Sequence, residues 1–174
     1  MLFRSALILT CGGLSGAHFN PAVTLTEALD QRLGWSDAAG YVAAQVVGAV
    51  AGVLAAHLMF DVPLVAWSTH VRSGPSQMFS EFVATFGLLG VIRGCSRHRP
   101  DLVPIAVAAY IVGAYWFTAS TSFANPAVTL ARTATDTFAG IRPVDAGPFI
   151  LSQLAGALAS TATFRWLQIG RAHV

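Results

Sequence analysis

The 174 residues include ten arginines and no lysine, eight acidic residues and five histidines, for a formal net charge of +2. Hydrophobic residues make up 55% of the chain and charged ones only 10%, well under the quarter or so usual for soluble domains, and the mean hydropathy is +0.62. Apolar stretches recur from end to end, which excludes a soluble core and a nucleic-acid partner and predicts an all-α, multi-pass membrane protein.

The first and last few residues are expected to be foreign to the fold. Met1–Ser5 and Ile169–Val174 can be encoded by strings that are reverse complements over most of their length, in the manner of a sequencing adapter read from either end. That leaves residues 6–168 as one domain, cut at both sides, with as many arginines as acids once Arg4 and Arg171 are set aside. No basic region followed by an apolar run and a cleavage site is present, so no secretory signal peptide is expected. Cys11 and Cys95 form no CxxC or Cys/His cluster, so neither a disulfide framework nor a metal site is expected, and no cofactor.

Residues 6–14 read as the tail of an apolar segment. The small and polar run Ser15–Phe19 leads to Asn20-Pro21-Ala22, which opens a short helix to about Leu29; Glu27, Asp30 and Arg32 mark its watery end. A full span is predicted over about 37–60, a loop over 61–75, and a second span over about 77–92. The basic loop of Arg93, Arg97 and Arg99 follows, then a third span over about 102–119. A second Asn-Pro-Ala at 125–127 opens another short helix, and a last span is predicted over about 146–167. Each span has about the length that 1.5 Å per residue requires to cross a bilayer.

The string NPAVTL occurs at 20–25 and again at 125–130. Asn20 and Asn125 are 105 residues apart, and Asp37/Asp145, Gln45/Gln153 and Gly48/Gly156 align at a spacing of 108. Three spans separate the copies. An odd number of crossings reverses the second copy, which predicts an inverted repeat. Proline at a first helical position costs no hydrogen bond, and asparagine is a strong N-cap. Each half-helix is too short to cross, so its open N-terminus must face protein or water. Entering from opposite sides, the two would meet near the midplane with their positive ends on one spot, beside the amides of Asn20 and Asn125. Such a place repels cations and suits a pore for uncharged solutes.

The strings Ser15-Gly16-Ala17-His18-Phe19-Asn20-Pro21-Ala22-Val23-Thr24 and Asn125-Pro126-Ala127 resemble the major intrinsic protein family, the aquaporins and aquaglyceroporins. The resemblance covers nearly all of residues 6–168 and implies a right-handed bundle of six spans and two re-entrant half-helices, the first span missing here. It further implies a pore in each protomer, a homotetramer in membrane lipid, placement in a bacterial inner membrane, and cytoplasmic termini. The loop around residues 93–100 is then inside, in line with the positive-inside rule.

The family pattern also implies roles for single residues. Glu81 matches a glutamate that holds a re-entrant loop by accepting backbone N–H bonds, and an intramembrane carboxylate favours function in general. His18 matches a histidine lining the cytoplasmic half of the pore. Most members carry arginine directly after the second Asn-Pro-Ala, where this chain has Val128; counting back places the other filter positions on Gly113 and Ser122, with a fourth just before Ala6. All three are small and uncharged, so the filter is expected to be wider and less cation-repelling than a water-selective one. Arg132, one turn beyond Val128, would charge the outer vestibule or meet lipid headgroups. Gly48, Gly52, Gly87, Gly90 and Gly156 are read as close helix contacts. The function that follows is passive passage of water and small neutral solutes such as glycerol, with uncharged metalloid hydroxides such as arsenite as a further class. A water-only channel and a non-conducting structural protein of the same fold are the alternatives. No nucleophile–base pair or metal-spaced ligand set points to an enzyme.

Overall fold

A computed structural model describes residues 2–169, with the side chains of 5–167. Of the terminal stretches set aside above, Met1 and residues 170–174 lie outside the described residues, while Leu2–Ser5 are the start of the first helix and Ile169 the end of the last. The regular structure of the described residues is helical throughout: α1 (Leu2–Ser15), α2 (Pro21–Leu29), α3 (Trp35–Met59), α4 (Pro75–His98), α5 (Val103–Phe117), α6 (Pro126–Ala131) and α7 (Pro143–Ile169). Short 3₁₀ turns precede α5 and follow α6. In lipid a helix satisfies its backbone groups within one segment, which suits the apolar runs of Ala, Val and Gly in α3 and α5. α3, α4 and the Pro100–Phe117 stretch are each long and apolar enough to cross a membrane.

One boundary differs from the sequence-based expectation. The span expected to stop near residue 92 continues as α4 to His98. Arg93 therefore sits inside a helix, 7% exposed, rather than in a basic loop. Its partners explain the change: Nη1 lies 2.7 Å from Asp30 Oδ2 and Nη2 donates to Thr161. Arg165 of α7 reaches the same carboxylate at 2.7 Å and also donates to the Leu29 carbonyl. A single aspartate at the end of α2 thus fastens α4 and α7 at one end of the bundle.

The tightest packing joins α4 to α7. A Cβ on Gly156 would collide with the Phe82 carbonyl, so this glycine permits close backbone approach, while Gly87 makes room for the Tyr110 ring of α5. Gly90 meets the Phe164 ring in ordinary contact. Gly48 and Gly52 do not behave as the other glycines do, since a Cβ at either would meet nothing within 4 Å. They lie on α3, which is largely exposed along its length, and Gly48 faces a cavity. The core proper unites α2 and the loop before α6 with α4, α5 and α7 through Ala22, Val23, Leu88, Leu89, Val107, Ile111, Ala124 and Ala157. A smaller cluster of Phe123, Ile141 and Phe149 closes the opposite end.

Candidate functional site

The two Asn-Pro-Ala copies adopt the same local structure because the same chemistry drives both. Asn20 and Asn125 are extended N-caps, with φ/ψ of −160/119 and −157/111. The Oδ1 of Asn20 accepts from Ala22 N at 2.9 Å, and that of Asn125 from Ala127 N at 3.0 Å. Pro21 and Pro126 occupy the first helical position, where the missing N–H costs nothing. The approach to each cap is equally matched. Gly16, Ala17 and Phe19 have φ of 68, 46 and 47, and Thr121, Ser122 and Ala124, each 105 residues on, have 61, 51 and 47. Left-handed non-glycine residues cost roughly 1–2 kcal/mol each, so the five in these two loops (Ala17, Phe19, Thr121, Ser122 and Ala124) require strong outside support.

That support is reciprocal. Asn20 Nδ2 donates to Ala124 O at 2.7 Å, and Asn125 Nδ2 donates to Phe19 O at 2.8 Å, so each amide holds the loop that precedes the other. Behind the caps, Gln45 donates to Thr24 and Gln153 to Thr129, again in matched positions. Glu81, fully buried on α4, adds a carboxylate to the support of the second loop. Its Oε1 accepts from Phe123 N and Ser120 Oγ at 2.8 and 2.6 Å, and its Oε2 from Ala124 N and Gln153 Nε2 at 2.8 and 2.6 Å. Two left-handed turns and the cap of α6 are thus tied to one carboxylate.

Beside this junction lies a cavity of about 950 Å³, walled by α3 on one side and by the re-entrant loops and α5 on the other. His18, Ser122, Asn125, Ala127, Val128 and Arg132 all reach it. His18 is held there by Thr24 Oγ1, 3.1 Å from its Nδ1, and by the ring of Tyr41. Asn20 is fully buried and is not on the wall, so of the two asparagines it is Asn125 that meets the cavity. An amide carries two N–H donors; Asn125 spends one on Phe19, which leaves one for a solute.

Gly113 is not on the wall either. Ile111 and Tyr115 of α5 line the cavity, and a residue midway between two positions four apart on a helix points to the other side. Gly113 is exposed, with nothing within 4 Å of its Cβ position. Counting back from Asn125 misplaces the α5 contribution because α5 ends at Phe117 and residues 118–124 coil around Glu81.

Sequence reasoning missed Arg72. It sits in the loop between α3 and α4, 5% exposed, and donates to the carbonyls of Gly140, Ser120 and Phe138 at 2.8, 3.0 and 2.9 Å. Its own N–H is held by Asp145 at 2.9 Å. Burial, and then the neighbouring charge of Arg132, draw its guanidinium below the ordinary arginine range, with Glu81 acting in the other direction. An arginine in a polar loop carries no sequence signal for this; only the fold brings loop 61–74 over the second re-entrant loop.

Similarity to known proteins agrees with this geometry. Residues 2–119 match the model of the family described as Major intrinsic protein. The chain is 55% identical over 161 residues to Aquaglyceroporin AqpS of Rhizobium meliloti (strain 1021), covering 92% of this chain and 69% of that protein. It is 33% identical over 143 residues to Aquaporin NIP3-1 of Arabidopsis thaliana, covering 74% of this chain and 44% of that one. Over 166 residues it is 34% identical to Aquaporin NIP1-3 of Oryza sativa subsp. japonica, covering 88% and 56%. The chain thus spans about two thirds of the bacterial relative's length and about half of each plant relative's.

Proposed function

The chain belongs to the major intrinsic protein family, whose members are membrane channels and not enzymes, and on that footing we propose that it forms the pore of a passive channel for water and neutral solutes up to about the size of glycerol. The observation that carries the reading is the junction itself. Two capped half-helices present their N-termini to one region, and an unspent amide N–H of Asn125 opens on the cavity there. Positive helix ends disfavour cations, and a lone donor orients a hydroxyl or water without binding it tightly. Uncharged metalloid hydroxides such as arsenite, which present hydroxyl groups and no charge at neutral pH, are a further solute class. The relative named an aquaglyceroporin supports the wider solute range.

Ser122 and Val128 form the outer part of the wall in this reading, with Asn20, Pro21, Ala22, Asn125, Pro126 and Ala127 as its centre and His18 on the inner side. Residues 6–168 are the part of the channel domain represented, and the exposed apolar length of α3 is covered by lipid, by further spans or by copies in a homotetramer. A bacterial inner membrane is the setting.

Placing a bulky side chain at residue 128 tests the wall directly. Val128→Arg in the complete protein, reconstituted in vesicles, is expected to cut glycerol flux several times more than water flux. The ratio of the two cancels differences in reconstitution. Equal loss of both, or loss of water alone, would remove Val128 from the wall.

A further inference from the structure

Val128 lacks the positive charge that could hold cations out of this cavity, yet a guanidinium stands on the same wall. Arg132 follows one helical turn after Val128, is half-buried, and lines the cavity with it. Its Cζ lies 4.3 Å from the centroid of the Phe123 ring, and its Nη2 is 3.5 Å from the Tyr115 hydroxyl. Among the described residues that long contact is the one hydrogen bond its side chain makes, so most of its five donors are unspent on a residue that lines the cavity.

The platform beneath it is rigid. Phe123 is 4% exposed, packs edge-on against Phe149 at 5.5 Å, and has its backbone N–H bound by Glu81. The Cζ of Arg72 lies over the same ring at 4.7 Å. Arg72 itself is spent on three carbonyls and is absent from the wall, so its charge is not presented to a solute. Arg72 fixes the ring, and the ring carries Arg132.

We propose that Arg132, seated on Phe123 and steadied by Tyr115, is the cation-excluding charge of this channel, and that setting it one turn from Val128 separates charge selection from size selection. The wall stays low at Val128, where hydroxylated solutes larger than water pass, while a fixed positive charge and several aimed donors remain beside the path. On this proposal a filter without arginine after Ala127 still repels cations. Arg72 acts through Phe123 and is a positioning residue. The inference rests on the reading of the cavity as a pore for neutral solutes.

The test uses vesicles carrying the complete protein, with glycerol flux and potassium leak measured on the same preparation. Arg132→Gln should raise the ratio of potassium leak to glycerol flux roughly tenfold or more, as expected for removing a charge at close range, while Arg132→Lys, which keeps the charge, should hold that ratio near the unaltered value. Arg132→His gives an internal control, since its imidazole loses its charge between about pH 5.5 and about pH 8. Leak through that variant should climb over this interval by more than any change in the unaltered channel, whose cavity His18 also lines. An unaltered ratio in Arg132→Gln, or a leak in Arg132→His that follows pH no more than the unaltered channel's, overturns the proposal. If the unaltered protein carries no glycerol at all, the pore reading falls and takes this assignment with it.

Discussion

Glu81→Ala is expected to abolish flux and to lower the unfolding midpoint more than any other single change considered. The carboxylate is fully buried and accepts from two backbone N–H groups, one hydroxyl and one amide. Removing it strands four donors where water is scarce. Each buried donor left unpaired costs about 1–3 kcal/mol, and partial rearrangement brings the expected total to roughly 4 kcal/mol. The loss falls on residues 120–124, whose left-handed turns have no other anchor of this strength. Glu81→Gln should be nearly as damaging, because its amide nitrogen would face donors rather than acceptors. Melting of the detergent-solubilised protein alongside vesicle flux checks both variants. Either variant retaining the native midpoint and flux would show that the loop is held by something else.

Asn125→Asp is the second change with a large expected effect, and its cause is different. Aspartate caps a helix as well as asparagine does, and Oδ1 would still accept from Ala127 and Val128. What is lost is the donor. A carboxylate oxygen would stand about where Nδ2 donates to the Phe19 carbonyl at 2.8 Å, so two acceptors face each other. The cost is about 2–3 kcal/mol, and the new negative charge offsets the positive helix ends. Stability should fall, and cation leak should rise in vesicles. Asn20→Asp, which breaks the matching bond to Ala124 O, should destabilise at least as much but leak less, because Asn20 is not on the cavity wall. Leak and melting unchanged in Asn125→Asp would contradict its placement at the junction.

Much of this was readable in the chain because it is local. Asparagine before proline at a helix start, repeated in reversed orientation, determines both caps with no tertiary information. The 105-residue repeat extends to the left-handed turns at Ala17/Ser122 and Phe19/Ala124, which no composition rule would have signalled. Glu81 stood out as a carboxylate in an apolar span. What stayed hidden depends on loops and on long-range packing. The α5 residue facing the cavity is set by how seven residues coil around Glu81, so counting along the chain chose Gly113 over Tyr115. The depth of Asn20, the reach of Arg93 to Asp30, and the burial of Arg72 under loop 135–142 all need partners from distant elements. Arg132 was visible as one turn past Val128, but its seat on Phe123 was not.

The central claim is that the junction of the two half-helices borders a conducting path for neutral solutes. Stopped-flow light scattering of vesicles carrying the complete protein, challenged with a glycerol gradient, tests it most directly. The predicted result is re-swelling well above that of protein-free vesicles, lost in Glu81→Ala, with no accompanying potassium current. Re-swelling no faster than in protein-free vesicles, from protein shown to be folded and inserted, would contradict it.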